Sequence, residues 1–251
     1  MSKTPEMLSL SHEQDGLNAT ATIELAGAIT TSFVINGQDI LVPKPDDSST
    51  RFGSFWADPF GPESLQVDDE YVRKHGELRV NDWTTPEGTY NILEFTDPKS
   101  GLVYTLNTGM YDPEQDYPAV EFHQLLTINN PTDNTVEVAP AMHPYFNLSL
   151  EEALNQALFQ NLGVSKNINP DAEEYARPDQ VKFSVGQYNV ELRTGMGRVT
   201  FWSPESAESV CVEPSAVGQP YVLTNSSAAK LETIDSHEAR KYRCSILVSR
   251  N

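Results

Sequence analysis

The sequence predicts an all-β protein made of antiparallel sheets. Apolar and polar residues alternate with a period of two in several segments, most clearly over 20–25 and 119–128. Turn signals separate such segments, and Asn36-Gly37 is typical of a two-residue hairpin. Because alternate side chains of a strand point to opposite faces, this pattern indicates strands with one face in the core and one in water. The sequence contains no internal repeat, low-complexity segment or linker, so we expect one domain over residues 1–251.

The first 42 residues are predicted to form successive strands. Apolar residues share a face at Leu8 and Leu10, and again at every second position from 21 to 25. A third strand over 29–35 runs into the Asn36-Gly37 turn, and 39–42 returns from it.

The segment 43–89 is different, because prolines and many Asp, Ser and Gly residues interrupt it. Aromatic residues are spread through the segment: Phe52, Phe55, Trp56, Phe60, Tyr71 and Trp83. A long irregular segment within a domain is usually functional or disordered, and aromatic side chains argue against disorder. We therefore expect an ordered loop region that covers a site.

Strand patterns resume after this region. The motif Ser149-Leu150-Glu151-Glu152 fits a capping box, which predicts a short helix over roughly 149–155. The predicted strands are 90–96, 102–108, 119–128, 135–139, 188–193, 198–202, 209–213, 221–223 and 242–248.

Charge and composition exclude several kinds of partner. The chain has 17 basic and 36 acidic residues, a net charge of −19, which argues against nucleic acid and anionic membrane surfaces. A neutral ligand such as a sugar suits this charge. Cys211 and Cys244 form no C-x-x-C pattern, and Cys244 falls on the core face of its strand. No signal peptide or membrane-spanning run is visible, so we expect a cytoplasmic protein.

His143 is the first candidate for chemistry. It stands in Met142-His143-Pro144-Tyr145-Phe146-Asn147, where Pro144 should end a strand and leave the histidine at the strand exit. Strand exits often carry functional groups, but a buried turn with a hydrogen-bonded histidine is an equally acceptable reading.

Four further residues are candidates, and three of them have a stated structural alternative. Glu213 lies in Val212-Glu213-Pro214, where a carboxylate at the end of an apolar strand would suit a general base. It could equally be a glutamate at an edge-strand turn. His75 precedes a glycine within the aromatic-rich region, and Arg51 begins that region. Arg51 alone would be interpreted as part of a surface salt bridge. His123 shares a strand face with Glu121, so its alternative is a structural hydrogen bond.

Taken in order, these motifs resemble the aldose 1-epimerase (galactose mutarotase-like) family. The likeness rests on Arg51, on His75-Gly76 with Arg79 and Trp83 after it, on the His143 motif, and on Val212-Glu213-Pro214. It spans roughly residues 20–250. The resemblance implies a β-supersandwich of antiparallel sheets with an open cleft, an isomerase that needs neither cofactor nor metal, and an aldohexose as substrate.

The resemblance also implies roles for individual residues. His143 would be the general acid that protonates the ring oxygen of the sugar, and Glu213 the general base on the anomeric hydroxyl, from opposite sides of the anomeric carbon. His75 would assist catalysis and bind substrate. The other expected substrate-binding residues are Arg51, Arg79, Trp83, Tyr145 and Asn147.

Other functions stay open. A branch of the same superfamily acts on hexose 6-phosphates, and Arg51, Arg73, Lys74 and Arg79 could supply a phosphate site. A non-catalytic sugar-binding protein would explain the aromatic residues. A glycoside hydrolase would need a second distinctive carboxylate, and a metal-dependent β-barrel enzyme would need clustered ligands such as His-x-His, which the sequence lacks.

Overall fold

A computed structural model describes residues 6–44, 52–58, 65–67, 70–72, 76–155, 172–176, 180–196, 198–203, 208–216 and 231–250. These residues confirm the predicted class, because they form many antiparallel strands and one short helix. They contain no helix that is long and apolar enough to cross a membrane. The predicted strand 221–223 lies outside the described residues.

The elements, in chain order, are β1 (Met7–Gln14), β2 (Leu17–Glu24), β3 (Ile29–Ile35), β4 (Gln38–Asp39), β5 (Trp56–Ala57), β6 (Leu65–Val67), β7 (Glu70–Val72), β8 (Ile92–Thr96), β9 (Val103–Tyr111), β10 (Ala119–Asn129), β11 (Val136–Val138), β12 (Ala141–Met142), β13 (Tyr145–Phe146), α1 (Leu150–Asn155), β14 (Ala172–Ala176), β15 (Gln180–Val185), β16 (Tyr188–Thr194), β17 (Arg198–Trp202), β18 (Val210–Ser215), β19 (Glu232–Ile234) and β20 (Ala239–Arg250).

Two six-stranded sheets organise the chain. The sheet that we call the back sheet has the order β15-β16-β20-β10-β9-β8. The second, which we call the site sheet, has the order β14-β17-β18-β12-β5, and β13 also pairs with β18. A four-stranded N-terminal sheet, β1-β2-β3-β4, and the pairs β11-β19 and β6-β7 complete the structure.

The main hydrophobic core is formed by side chains of the back sheet, the site sheet and the N-terminal sheet. Phe146 of the site sheet packs edge-on against Phe183 of the back sheet, with ring centroids 4.6 Å apart. The buried indole N–H of Trp56 in β5 donates to Oε1 of Gln124 in β10 over 3.1 Å. Large aromatic side chains contribute most to such cores, and a hydrogen bond offsets the cost of burying the indole nitrogen. These contacts show that one face of the site sheet packs against the back sheet. The opposite face carries the candidate site.

Two local predictions are confirmed. Asn36 and Gly37 both have positive φ, 49° and 82°, as a type I′ hairpin turn requires between β3 and β4. The capping box at α1 forms as expected, because the Glu152 N–H donates to Oγ of Ser149 and the Ser149 N–H donates to Glu152.

One prediction about a strand end is wrong. Glu213 does not end its strand, because β18 continues through Pro214 to Ser215. The N–H groups of Val212 and Ala216 donate towards Pro144 and Pro140. Residue 214 would direct its N–H to the same side of β18 as Val212 and Ala216, towards the interruption between β12 and β13. No strand in the described part of the chain accepts a hydrogen bond at that interruption, so a proline is tolerated at position 214.

Candidate active site

His143 occupies the interruption between β12 and β13. The strand exit predicted from Pro144 is confirmed, because β12 ends at Met142 and β13 begins at Tyr145. The His143 N–H donates to the carbonyl of Phe55 over 2.8 Å, which ties this interruption to β5. Strand alternation then places the His143 side chain on the face of the site sheet that points away from the core.

Two aromatic rings pack against the imidazole. The ring of Phe55 stacks on His143 with centroids 4.8 Å apart and an interplanar angle of 12°. Tyr145 lies 5.1 Å away, tilted by 33°. Cζ of Arg79 is 5.5 Å from the centroid of Phe55. His143 is only 2% exposed, so its orientation is fixed by packing.

The carboxylate of Glu213 faces this imidazole. Nε2 of His143 lies 2.7 Å from Oε1 of Glu213, at the short end of the range for a charge-assisted hydrogen bond. Both residues are buried, Glu213 to 1% exposure. The two residues come together because β12 and β13 both pair with β18.

Cys211 makes a third contact in the same place. Its Sγ is 2.8 Å from Nδ1 of His143. Burial, together with the charge and hydrogen bond of Glu213, raises the pKa of this thiol well above its usual value, so it stays protonated. Cys211 and Glu213 are two positions apart, which places both side chains on one face of β18. This spacing is the only feature of the sequence that points to Cys211 as part of the site.

These three residues could each offer one ligand atom to a metal ion, since such atoms lie within 4.8 Å of one another. However, Cys211 and Glu213 contact opposite nitrogens of the His143 ring. One imidazole cannot direct both nitrogens to one ion, so the observed arrangement matches a hydrogen-bonded chain better than a coordination site.

Unpaired hydroxyl groups lie beside Glu213. Thr200 is the cross-strand neighbour of Glu213 in β17, and Ser215 follows two residues later on the same face of β18. Both side chains are buried, and Thr200 Oγ1 and Ser215 Oγ have no hydrogen-bond partner in the described part of the chain. Buried unsatisfied hydroxyls often mark a place where water or a polar ligand binds.

The structure brings together four of the residues predicted for the site. His143, Glu213 and Tyr145 are neighbours, and Arg79 reaches them through Phe55. Arg51 and His75 lie outside the described residues, so their predicted roles stay predictions.

Two other predicted substrate-binding residues make contacts outside this group, and their predicted roles stay predictions. Trp83 is buried in the main core at 2% exposure, and its indole N–H donates to the carbonyl of Leu78. Asn147 is exposed, and its amide nitrogen lies 3.4 Å from the carbonyl oxygen of Asp39.

Asp58 is a buried acid that sequence analysis did not single out. It accepts hydrogen bonds from the hydroxyl of Tyr104 (3.0 Å) and the N–H of Ala139 (2.8 Å). Burial raises its pKa from 3.8 to about 6, although these hydrogen bonds oppose the change. Alternation along this segment puts Asp58 on the face of Trp56, opposite Phe55 and His143, so it belongs to the core rather than to the site.

Comparison with known proteins identifies the fold. No protein-family model and no curated protein sequence matches the chain. Solved structures do match: the Slr1438 protein from Synechocystis sp. PCC 6803 is 17% identical, with a TM-score of 0.68 and coverage of 100% of this chain and 99% of that one. A galactose mutarotase related enzyme from Lactobacillus acidophilus is 14% identical, with a TM-score of 0.66 and coverage of 96% and 97%.

A galactose mutarotase-like protein from Lactobacillus casei ATCC 334 is 15% identical, with a TM-score of 0.65 and coverage of 97% of this chain and 100% of that one. Identities at this level establish a common fold and no more. This chain is therefore a protein of the galactose mutarotase-like fold.

Proposed function

We propose that the protein is an aldose 1-epimerase, or mutarotase, which interconverts the α and β anomers of an aldohexose. The observation that carries the proposal is the contact between His143 and Glu213, an acid and a base 2.7 Å apart on the outward face of the site sheet. A fold shared with galactose mutarotase-like proteins supports it.

The chemistry needs two coordinated proton transfers. Opening the ring removes a proton from the anomeric hydroxyl O1 and delivers one to the ring oxygen O5. Glu213 accepts the first proton, and Nε2 of His143 supplies the second. The C1–C2 bond then rotates, the ring closes on the other face of C1, and the two residues exchange roles. Acid–base catalysis of this kind is worth roughly 10²–10⁴-fold.

The direct contact of the two groups favours transfer on one side of the sugar rather than on opposite sides. O1 and O5 are both bonded to C1, so they too are near neighbours. An acid and a base that touch each other can therefore reach both oxygens together. Because His143 and Glu213 are buried, a sugar reaches them only after the groups that now cover them have moved.

The surroundings of the pair also suit a sugar. The unpaired hydroxyls of Thr200 and Ser215 can bind sugar hydroxyls next to Glu213. Tyr145 and Phe55 offer aromatic surface beside His143. No metal or organic cofactor is needed for any step. We keep the predicted cytoplasmic location as part of this proposal, to be checked by cell fractionation.

Specific observations favour two alternatives. The guanidinium of Arg79, close to Phe55, could bind the phosphate of a hexose 6-phosphate, although the net charge of −19 opposes an anionic substrate. The burial of the His143–Glu213 pair would also be compatible with a sugar-binding protein without catalysis.

Polarimetry decides among these functions. Fresh α-D-glucose, α-D-galactose and the corresponding 6-phosphates are followed in weak buffer, with and without the protein. We expect faster mutarotation of at least one neutral hexose, unchanged by EDTA. Faster mutarotation of the 6-phosphates alone would show that the substrate is a hexose 6-phosphate rather than a neutral hexose. Binding without any acceleration would show the non-catalytic alternative to be correct.

A further inference from the structure

Cys211 is a buried thiol that takes no proton from the substrate in the proposed reaction, yet it contacts the imidazole on which that reaction depends. Its Sγ lies 2.8 Å from Nδ1 of His143, while Nε2 of the same ring lies 2.7 Å from Glu213. Each ring nitrogen thus has its own partner. The imidazole cannot rotate without losing both contacts.

Counting the protons shows which atom donates and which accepts in each of these hydrogen bonds. The thiol of Cys211 has one proton and is hydrogen-bonded to Glu213. An ionised carboxylate has no proton to donate, so Glu213 is the acceptor of this hydrogen bond. With S–H directed at Glu213, the sulfur is left to accept a proton from Nδ1 of His143. The contact between Nε2 of His143 and Oε1 of Glu213 is then the one that remains for proton exchange.

We propose that Cys211 is a positioning residue: its sulfur accepts the Nδ1–H of His143, so that Nε2 is the nitrogen that exchanges a proton with the substrate. The resting arrangement can be tested without any substrate, whereas the exchange step rests on the proposed mutarotase function. When Nε2 gives its proton to O5, the ring becomes neutral with Nδ1–H still bound to sulfur. Glu213 gains the proton from O1, and ring closure reverses both transfers.

A nucleophilic role for Cys211 does not fit the same contacts. Reactive cysteines act as thiolates and sit in electropositive, partly exposed surroundings. Cys211 is fully buried, and its charged neighbour Glu213 is negative, which opposes a thiolate. The thiol is therefore a hydrogen-bonding group in this site.

The chain contains a matched control for this proposal. Cys244 is a second free cysteine, also fully buried, and it lies in the core strand β20. Replacing either cysteine by alanine removes a buried sulfur and leaves a similar cavity. Only the Cys211→Ala change removes a partner of His143. Cys211→Ser keeps one donor and one acceptor at that position.

Long-range ¹H–¹⁵N NMR on protein labelled with ¹⁵N-histidine tests the resting arrangement. The His143 signals are identified by their loss in His143→Asn. We expect a protonated Nδ1 in the wild type, in Cys244→Ala and in Cys211→Ser, and a changed Nδ1 signal in Cys211→Ala. An unprotonated Nδ1 in the wild type, or an unchanged spectrum in Cys211→Ala, would overturn the proposal. If Cys211→Ala does not fold, the wild-type and Cys211→Ser spectra still decide.

Kinetics test the exchange step. We expect Cys211→Ala to lower kcat about 10- to 100-fold with little change in KM. Without its sulfur partner, His143 is misaligned for proton transfer, whereas the groups that bind the substrate are unchanged. Cys211→Ser should recover most of this loss, and Cys244→Ala should show none of it. An unchanged kcat in Cys211→Ala would contradict the exchange step. If the wild type has no mutarotase activity, the function fails while the NMR result still decides the role of Cys211.

Discussion

His143 and Glu213 form a buried pair across two neighbouring segments of the site sheet, with Nε2 2.7 Å from Oε1. Neither residue could be replaced alone without consequence, because both are buried and each is the hydrogen-bond partner of the other. A substitution at either position should therefore change the stability of the fold as well as the rate of the proposed reaction.

We expect His143→Asn and Glu213→Gln each to lower kcat by about 10²-fold or more, because each removes one of the two proton-transferring groups. Each change should also destabilise the fold, by up to about 3–5 kcal/mol where a charge is left unpaired. Polarimetry measures the first effect and urea unfolding the second.

A double-mutant cycle separates the two effects. The variant carrying both substitutions should be less destabilised than the sum of the single changes, because no buried charge remains without its partner. His12→Asn, a substitution in the N-terminal sheet, is the control and should keep full activity. Near-normal turnover in either single variant would refute the assigned roles.

Gly53 supports the site from the neighbouring segment. Its φ is +77°, and its carbonyl accepts from the N–H of Tyr145 over 2.9 Å. A Cβ at this position would lie 2.1 Å from the carbonyl oxygen of Thr30. We expect Gly53→Ala to cost about 3 kcal/mol, since it combines backbone strain with an overlap that moves Phe55 away from His143.

Gly37→Ala is the matched control for this clash. Gly37 has a φ of +82°, but nothing lies within 4 Å of an added Cβ. This change should cost only about 1 kcal/mol of backbone strain and leave mutarotation untouched. Urea unfolding measures both losses of stability. Equal losses in the two variants would mean that the backbone near Thr30 shifts to remove the overlap at little cost.

The sequence carried enough information for most long strands, because their burial alternates residue by residue. β2 is the clearest case: every second side chain from Leu17 to Ile23 is buried, and the side chains between them are not. β15 lies outside the predicted elements, although Val181, Phe183 and Val185 show the same alternation. Strands of two residues, such as β5, β12 and β13, are too short to show any period.

The candidate site was only partly predictable, because it depends on pairing between distant segments. His143 and Cys211 are 68 positions apart and meet only because β13 pairs with β18. A sequence cannot reveal that contact without the register of the sheet. Trp83 shows the converse, since an aromatic residue in an irregular region suits a sugar platform and a core position equally well.

The capping box at the start of α1 offers a test of local stability. Ser149 and Glu152 satisfy each other's backbone N–H groups at the start of a helix of only six residues. Ser149→Ala removes one of these bonds and should cost about 1 kcal/mol. Urea unfolding measures the loss. Ser149→Asp, which keeps an acceptor at the cap, should remain close to the wild type, and an equal loss in both would exclude the cap as the cause.

The pH dependence of stability should reveal Asp58. Its pKa is raised from 3.8 to about 6 by burial, so the folded state binds a proton more tightly than the unfolded state does. The folded protein is therefore favoured at low pH, and this advantage is lost as the pH rises from about 4 to about 6. Above that range the ionised carboxylate costs about 3 kcal/mol, at roughly 1.4 kcal/mol for each pH unit between the two values.

Asp58→Asn should remove this cost, because the amide stays neutral and its oxygen can still accept from Tyr104 or Ala139. The variant's gain in unfolding free energy over the wild type should be near zero at pH 4 and reach its plateau above pH 6. Urea unfolding across this range measures the difference. Asp116→Asn, at an exposed position, is the control for the loss of one carboxylate. A gain for Asp58→Asn that does not change with pH would mean that Asp58 is ionised throughout.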